Sequence, residues 1–223
     1  MSAHRSDATR GGAFPRSFDL PVGHALQIAA HARRREIVVV AGSAGGVLAL
    51  LEIVAALPHD FDPPVAIVLH RTANPPRLLV MVLARRCQLR VVEAVQGEAI
   101  TPRTIFIAPP DGHLSVRPDR TFEVEKGRPI KHLQSSANLL FESAADVFGA
   151  AVVGVVLSGT GSDGARGVVT IKERGGTVLV QNQSTSLHFD MPAAAIQTGA
   201  VDFVLPMDEI ANALVVLCTP VPR

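Results

Sequence analysis

Neither tryptophan nor tyrosine occurs among the 223 residues, and phenylalanine appears only nine times. Proteins that hold single-stranded nucleic acid stack bases on aromatic faces, and this chain lacks such a platform. Net charge is equally scarce, because 21 Lys and Arg stand against 20 Asp and Glu, leaving +1 with histidine neutral. A nucleic-acid partner or an anionic membrane surface would call for a basic stripe, so neither is expected. Only two cysteines are present, Cys87 and Cys218, outside any Cys-x-x-Cys pattern. That excludes a disulfide framework and a zinc cluster and leaves two reduced, structural thiols. No stretch approaches the roughly twenty apolar residues of a membrane span, and the N-terminus has no apolar signal core. Membrane insertion is not expected, and the cytoplasm is the expected location.

The apolar content is aliphatic, and the length suits one sizeable α/β domain that buries its core unaided. Residues 1–35 mix Arg, His, Gly, Ser and Pro with little periodicity and read as an irregular arm. Within it Arg33, Arg34 and Arg35 form a short basic run, read as solvated, with an anionic contact as the alternative. The domain proper is expected over residues 36–218, with a short tail at 219–223.

Ile37 to Ala41 is short, β-branched and continuously apolar, as in a strand buried on both faces of a parallel sheet. It ends in Gly42-Ser43-Ala44-Gly45-Gly46, after which the periodicity becomes helical to Leu57. Pro64 to Leu69 is a second buried strand, ending at His70, and residues 75–86 read as a helix opened by Pro75. Four short pieces follow, Leu89 to Glu93, Ile105 to Ala108, Leu114 to Val116 and Phe122 to Val124. They read together as an antiparallel hairpin region inserted after the parallel half. A helix over Ala137 to Phe148 leads to a strand at Val152 to Leu157, then to a Gly-rich loop holding Asp163 and a helix to Arg174. Thr177 to Val180, Pro192 to Gln197, Asp202 to Leu205 and Asp208 to Leu217 continue as strand, helix, strand and helix. The alternation predicts a doubly wound, mostly parallel sheet with helices on both faces and a small antiparallel hairpin insertion.

Ligands of open α/β sheets bind beyond the carboxyl ends of the strands, where Ser43, His70 and Asp163 fall. A hydroxyl, an imidazole and a carboxylate are the groups of an acyl-transfer site, provided that Ser43 and His70 come within hydrogen-bond reach. Each residue also has a plainer reading. The Gly42 to Gly46 turn resembles a nucleophile elbow with Ala41 in place of the first glycine, yet it suits an anion cradle or a merely tight turn as well. It satisfies neither the dinucleotide nor the P-loop pattern. Asp163 has the composition of a helix N-cap or Asx-turn, and His70, His113 and His132 read as ordinary loop histidines. The eight histidines lack zinc-ligand spacing, so no metal is expected. Glu142 and Glu173 fall on helices and read as solvated.

Taken in order, Val40-Ala-Gly-Ser-Ala-Gly-Gly46, Ile67-Val-Leu-His70, Ile107-Ala-Pro-Pro-Asp-Gly-His113, Val156-Leu-Ser-Gly-Thr-Gly-Ser-Asp-Gly164, Gln181-Asn182 and Met191-Pro192 resemble the catalytic domain of CheB-type protein-glutamate methylesterases. The resemblance covers about residues 36 to 217. It implies a nucleophile at Ser43, a general base at His70 and an orienting acid at Asp163. It further implies hydrolysis of glutamate γ-methyl esters on the cytoplasmic helices of chemoreceptors, glutamine deamidation as a second activity, and no cofactor. A backbone N–H at Thr160 is implied as an oxyanion donor. Many members of the family carry Thr after the nucleophile; Ala44 stands there, so a hydroxyl that would assist the oxyanion is missing and its amide remains.

Classical members also carry an N-terminal phosphoacceptor receiver. Residues 1–35 are too few and too irregular to form one, so control by phosphorylation of the same chain is not expected; either constitutive activity or a separate regulatory partner is expected in its place. The rival expectation is a non-catalytic binding module of the same fold that uses the Gly42 to Gly46 turn as an anion or partner site.

Overall fold

The computed structural model describes residues 34–70, 78–126 and 136–219. The arm before residue 34, the first turn of the helix expected over 75–86, His132 and the tail from residue 220 lie outside them. Seven strands form one sheet: β1 (Ile37–Gly42), β2 (Val65–Leu69), β3 (Arg90–Glu93), β4 (Thr104–Ile107), β7 (Val152–Val156), β8 (Thr177–Gln181) and β9 (Phe203–Leu205). Their spatial order is β3-β4-β2-β1-β7-β8-β9, and every pairing is parallel. A separate antiparallel hairpin joins β5 (Gly112–Val116) to β6 (Phe122–Lys126). Two of the four short pieces expected in a hairpin region, β3 and β4, therefore belong to the parallel sheet instead. Their shortness and flanking turn residues hid a crossover.

The continuous apolar runs are explained by burial on both faces. Val38 and Val40 of β1 pack into one cluster with α1 (Gly46–Ala56), α2 (Leu78–Ala84) and α6 (Met207–Cys218). Ile37, Val39 and Ala41 face the other cluster, built on α3 (Ala137–Phe148), α4 (Ala165–Glu173) and α5 (Asp190–Gln197), with Leu114 and Phe122 of the hairpin. A strand with no wet face has no reason to alternate apolar with polar. Cys218 is buried in the first cluster, and burial pushes its thiol up to about 12. Burial likewise raises the Cys87 thiol, so both fit the structural reading.

Arg35 departs from the expected solvated run. It is 5% exposed and donates to the Ala150 carbonyl and to Thr177 Oγ1, tying the entry to β1 to the β7 and β8 side of the sheet. Among the described residues no helix is long and apolar enough to cross a membrane.

The chain leaves β1 for β2 on one side and returns later to β7 on the other, so the direction of winding reverses at β1. The crevice above such a reversal is where doubly wound sheets place their ligands.

Candidate active site

Ser43 and His70 follow directly on the two central strands β1 and β2. The register pairs Gly42 with Leu69, and the His70 N–H donates to the Gly42 carbonyl at 3.0 Å. Ser43 and His70 are thus the residues that follow the last pair of two adjacent strands, and paired strands run about 4.8 Å apart. On its other flank the Ser43 N–H donates to the Ser158 carbonyl at 3.0 Å, just past the end of β7. Asp163 comes from the loop between β7 and α4. Its Oδ2 lies 2.9 Å from His70 Nε2, with side-chain exposures of 6% and 15%.

The plainer reading of Asp163 fails in an instructive way. The N-cap of α4 is Gly164, with no side-chain cap. The Asp163 carboxylate instead accepts from the first turn of α3, from the Ala137 N–H at 2.5 Å and the Asn138 N–H at 3.2 Å. Asn138 Nδ2 adds a bond at 2.7 Å and Ser136 Oγ one at 3.3 Å. Burial alone would push this carboxyl up. The hydrogen bond with His70 and those from Ala137 and Asn138 outweigh it, and the net effect is a pKa below the usual aspartate range. Asp163 is thus held as an anion beside the imidazole.

His70 turns Nε2 to Asp163, and its Nδ1 has no hydrogen-bond partner among the described residues. Among the described residues no hydrogen bond joins Ser43 to His70 in the resting arrangement. Catalytic contacts of this kind often tighten only when substrate is bound.

The loop carrying Ser43 is fixed by residues that lie within the quoted motifs but to which the sequence assigned no role. Ser158, 1% exposed, donates from Oγ to the Ala44 carbonyl at 2.9 Å and accepts the His188 N–H at 3.0 Å. Its own N–H goes to Gln181 Oε1 at 2.8 Å, and Gln181 Nε2 reaches the Thr185 carbonyl at 2.8 Å. Gly159 lies so close that an added Cβ would come 2.8 Å from Ser43 Cβ. Its N–H is bound to the His188 carbonyl, and its carbonyl accepts from Met191. The peptide that joins Gly159 to Thr160 is held by that bond to Met191. Neither the Thr160 nor the Ala44 N–H has an acceptor among the described residues. Ala44 also lies at the entry to α1, where the helix dipole favours negative charge.

The other sequence candidates lie apart. His113 sits in strand β5, 1% exposed, rather than in a loop. Glu142 is not merely solvated, because it forms a two-pronged ion pair with Arg166. Glu173 is exposed at the end of α4. Among the described residues no group of three or more His, Cys, Asp or Glu is arranged to hold a metal ion.

A doubly wound parallel sheet with Ser, His and Asp gathered above its reversal defines a class of candidate hydrolase. The family model described as CheB methylesterase matches residues 38–214, and the chain belongs to that family. The chain is 40% identical over 185 residues to a protein-glutamate methylesterase/protein-glutamine glutaminase of Anaeromyxobacter dehalogenans, covering 83% of this chain and 54% of the relative. It is 36% identical over 178 residues to the protein-glutamate methylesterase FrzG of Myxococcus xanthus, covering 80% and 53%. The chain thus spans about half the length of these relatives, and 92% of a shorter one from Leptospira interrogans. The crystal structure of the Thermotoga maritima CheB methylesterase catalytic domain superposes with a TM-score of 0.78 at 32% identity, covering 83% of this chain and all of that one.

Proposed function

We propose that this chain is a cytoplasmic serine esterase that hydrolyses glutamate γ-methyl esters on chemoreceptor-type proteins in chemotaxis or a related signalling pathway, with glutamine deamidation as a second activity. The observation that carries the reading is the 2.9 Å bond between His70 and Asp163, at the end of the strand paired with the one that leads into Ser43. Family membership and the activities named for the relatives supply the substrate class.

In this reading Ser43 Oγ attacks the ester carbonyl carbon while His70 Nδ1 takes the hydroxyl proton. Asp163, already ionised and bonded to Nε2–H, stabilises the imidazolium that forms. The oxyanion of the tetrahedral intermediate is received by the Ala44 and Thr160 N–H groups, with the N-terminus of α1 behind them. Collapse releases methanol, which leaves with the proton from His70. Water activated by the same imidazole then hydrolyses the acyl-enzyme and frees the glutamate. Where the side chain is glutamine, ammonia leaves instead.

Methanol release from a methylated chemoreceptor fragment, by wild type and Ser43→Ala, tests the proposal. The expected loss in kcat for the variant is on the order of a thousandfold or more. Equal rates would remove Ser43 as the nucleophile. Turnover of a generic ester but not of the receptor would move the substrate class, and no turnover of either by wild type would favour the binding module.

A further inference from the structure

At the opposite pole of the sheet, where the strands begin, a cleft of about 250 Å³ opens between the entries to β1, β2 and β4 and the end of α3. Its polar lining includes Arg34, Glu36, Asp62 and Arg120, and Phe148 forms part of its apolar wall. Arg103 reaches the same Asp62 carboxylate. Four arginines, with the buried Arg35, meet two carboxylates here, and 4 − 2 leaves +2 where the whole chain carries +1.

The two carboxylates hold the arginines loosely. Arg34 lies 3.4 Å and Arg103 3.7 Å from Asp62, and Arg120 lies 3.0 Å from Glu36, with all five side chains well exposed. Exposed pairs of this kind contribute little, so a more highly charged anion competes with them readily. The Arg120 guanidinium lies over the Phe148 ring, 4.8 Å from its centroid, a contact through the face of the fork that does not compete with ligand bonds to its edge, where Glu36 now pairs.

A second observation points to the same place. Among the described residues only two that are not glycine have positive φ, Arg103 at 56° and Arg120 at 62°. Both border this cleft. Arg120 closes the β5 to β6 hairpin, its N–H donating to the Arg117 carbonyl, at the left-handed turn position that glycine usually takes. Glycine would hold either backbone without strain, so each side chain stands where the local conformation opposes it. Such outliers collect at functional sites.

We propose that this cleft binds a multivalent oxyanion, a small molecule bearing phosphate or several carboxylates, held by Arg34 and Arg120 with Arg103 behind Asp62. Guanidinium forks pair with both anions in the same bidentate manner. The site lies about 20 Å from Ser43, the length of β1.

The test is calorimetric titration of the full chain with pyrophosphate and, separately, citrate, at constant ionic strength. Saturable one-to-one binding is expected from at least one of them, and the two arms show which chemistry is preferred. Arg120→Gly removes the side chain while relieving the backbone. It should weaken binding at least tenfold with Tm unchanged or raised and ester hydrolysis unaltered. Arg34→Gln, at an exposed and unstrained position, should weaken binding similarly and decides the matter alone if the first variant does not fold. No saturable binding to wild type, or wild-type affinity in both variants, would overturn the proposal.

Discussion

The carboxylate of Asp163 accepts the backbone N–H of Ala137 at 2.5 Å, so the acid caps α3 rather than α4, the helix that follows it in sequence. One carboxylate thereby serves two purposes. It closes the first turn of a 12-residue helix, and it is kept ionised against His70. A charge at a helix N-terminus typically contributes about 0.3–1 kcal/mol, and up to about 2 kcal/mol where partly buried.

Asp163→Asn should separate these purposes only poorly. The carboxamide loses the charge and presents an NH2 group where backbone donors already point. A drop in kcat of roughly 10³ to 10⁴ is expected. A loss of about 1–3 kcal/mol in stability should accompany it. Steady-state kinetics and urea titration measure the two effects side by side, and an unaltered kcat would remove Asp163 from the mechanism.

Acid stability follows from the lowered pKa of the same group. A carboxyl depressed in the folded state contributes stability that is fully present above its unfolded value, near 3.8. That contribution is lost as pH falls through the folded value. Unfolding curves should therefore show a component that begins to decline as pH falls below about 4 and is lost through the folded value, and Asp163→Asn should lack it. Identical pH dependence of the two proteins between pH 3 and 6 would contradict this assignment.

Asn138 holds Asp163 from one side and α4 from the other, since its Oδ1 accepts the Gly167 N–H at 2.8 Å. Asn138→Ala leaves that N–H without its acceptor and frees one carboxylate oxygen. Stability should fall by about 1–3 kcal/mol. With Asp163 less firmly placed, kcat should fall by roughly tenfold, which corresponds to about 1.4 kcal/mol. KM should stay near wild type, because the side chain points at Asp163; a change confined to KM would argue against a positioning role.

Gly159→Ala probes the closeness of the β7 loop to Ser43. The new methyl would press on the Met191 sulfur and lie 2.8 Å from Ser43 Cβ and 2.9 Å from Ser43 N. Overpacking of this kind typically costs about 1–3 kcal/mol. Relief requires Ser43 or the Thr160 peptide to move, so activity should fall by roughly a hundredfold, as displacements near 1 Å do. A fully active variant with wild-type Tm would mean that the loop yields without disturbing Ser43.

Much of the architecture is legible along the chain. The uninterrupted apolar runs at Ile37 to Ala41 and Val152 to Leu157 announce strands covered on both faces, and the turn after the first places Ser43 at a strand end. His70 is legible for the same reason. These signals are local, arising from side-chain period and from glycine within a few residues of one another. Pairing is not local. The parallel membership of β3 and β4, the reach of Asp163 to the start of α3, and the Ser158 to Gln181 link all depend on which elements become neighbours. Ser136 and Asn138 look in sequence like the ordinary opening of a helix. Only the approach of the β7 loop to α3 makes them donors to a buried carboxylate, because 26 residues of chain separate Asp163 from Ala137 and tertiary packing brings them to 2.5 Å.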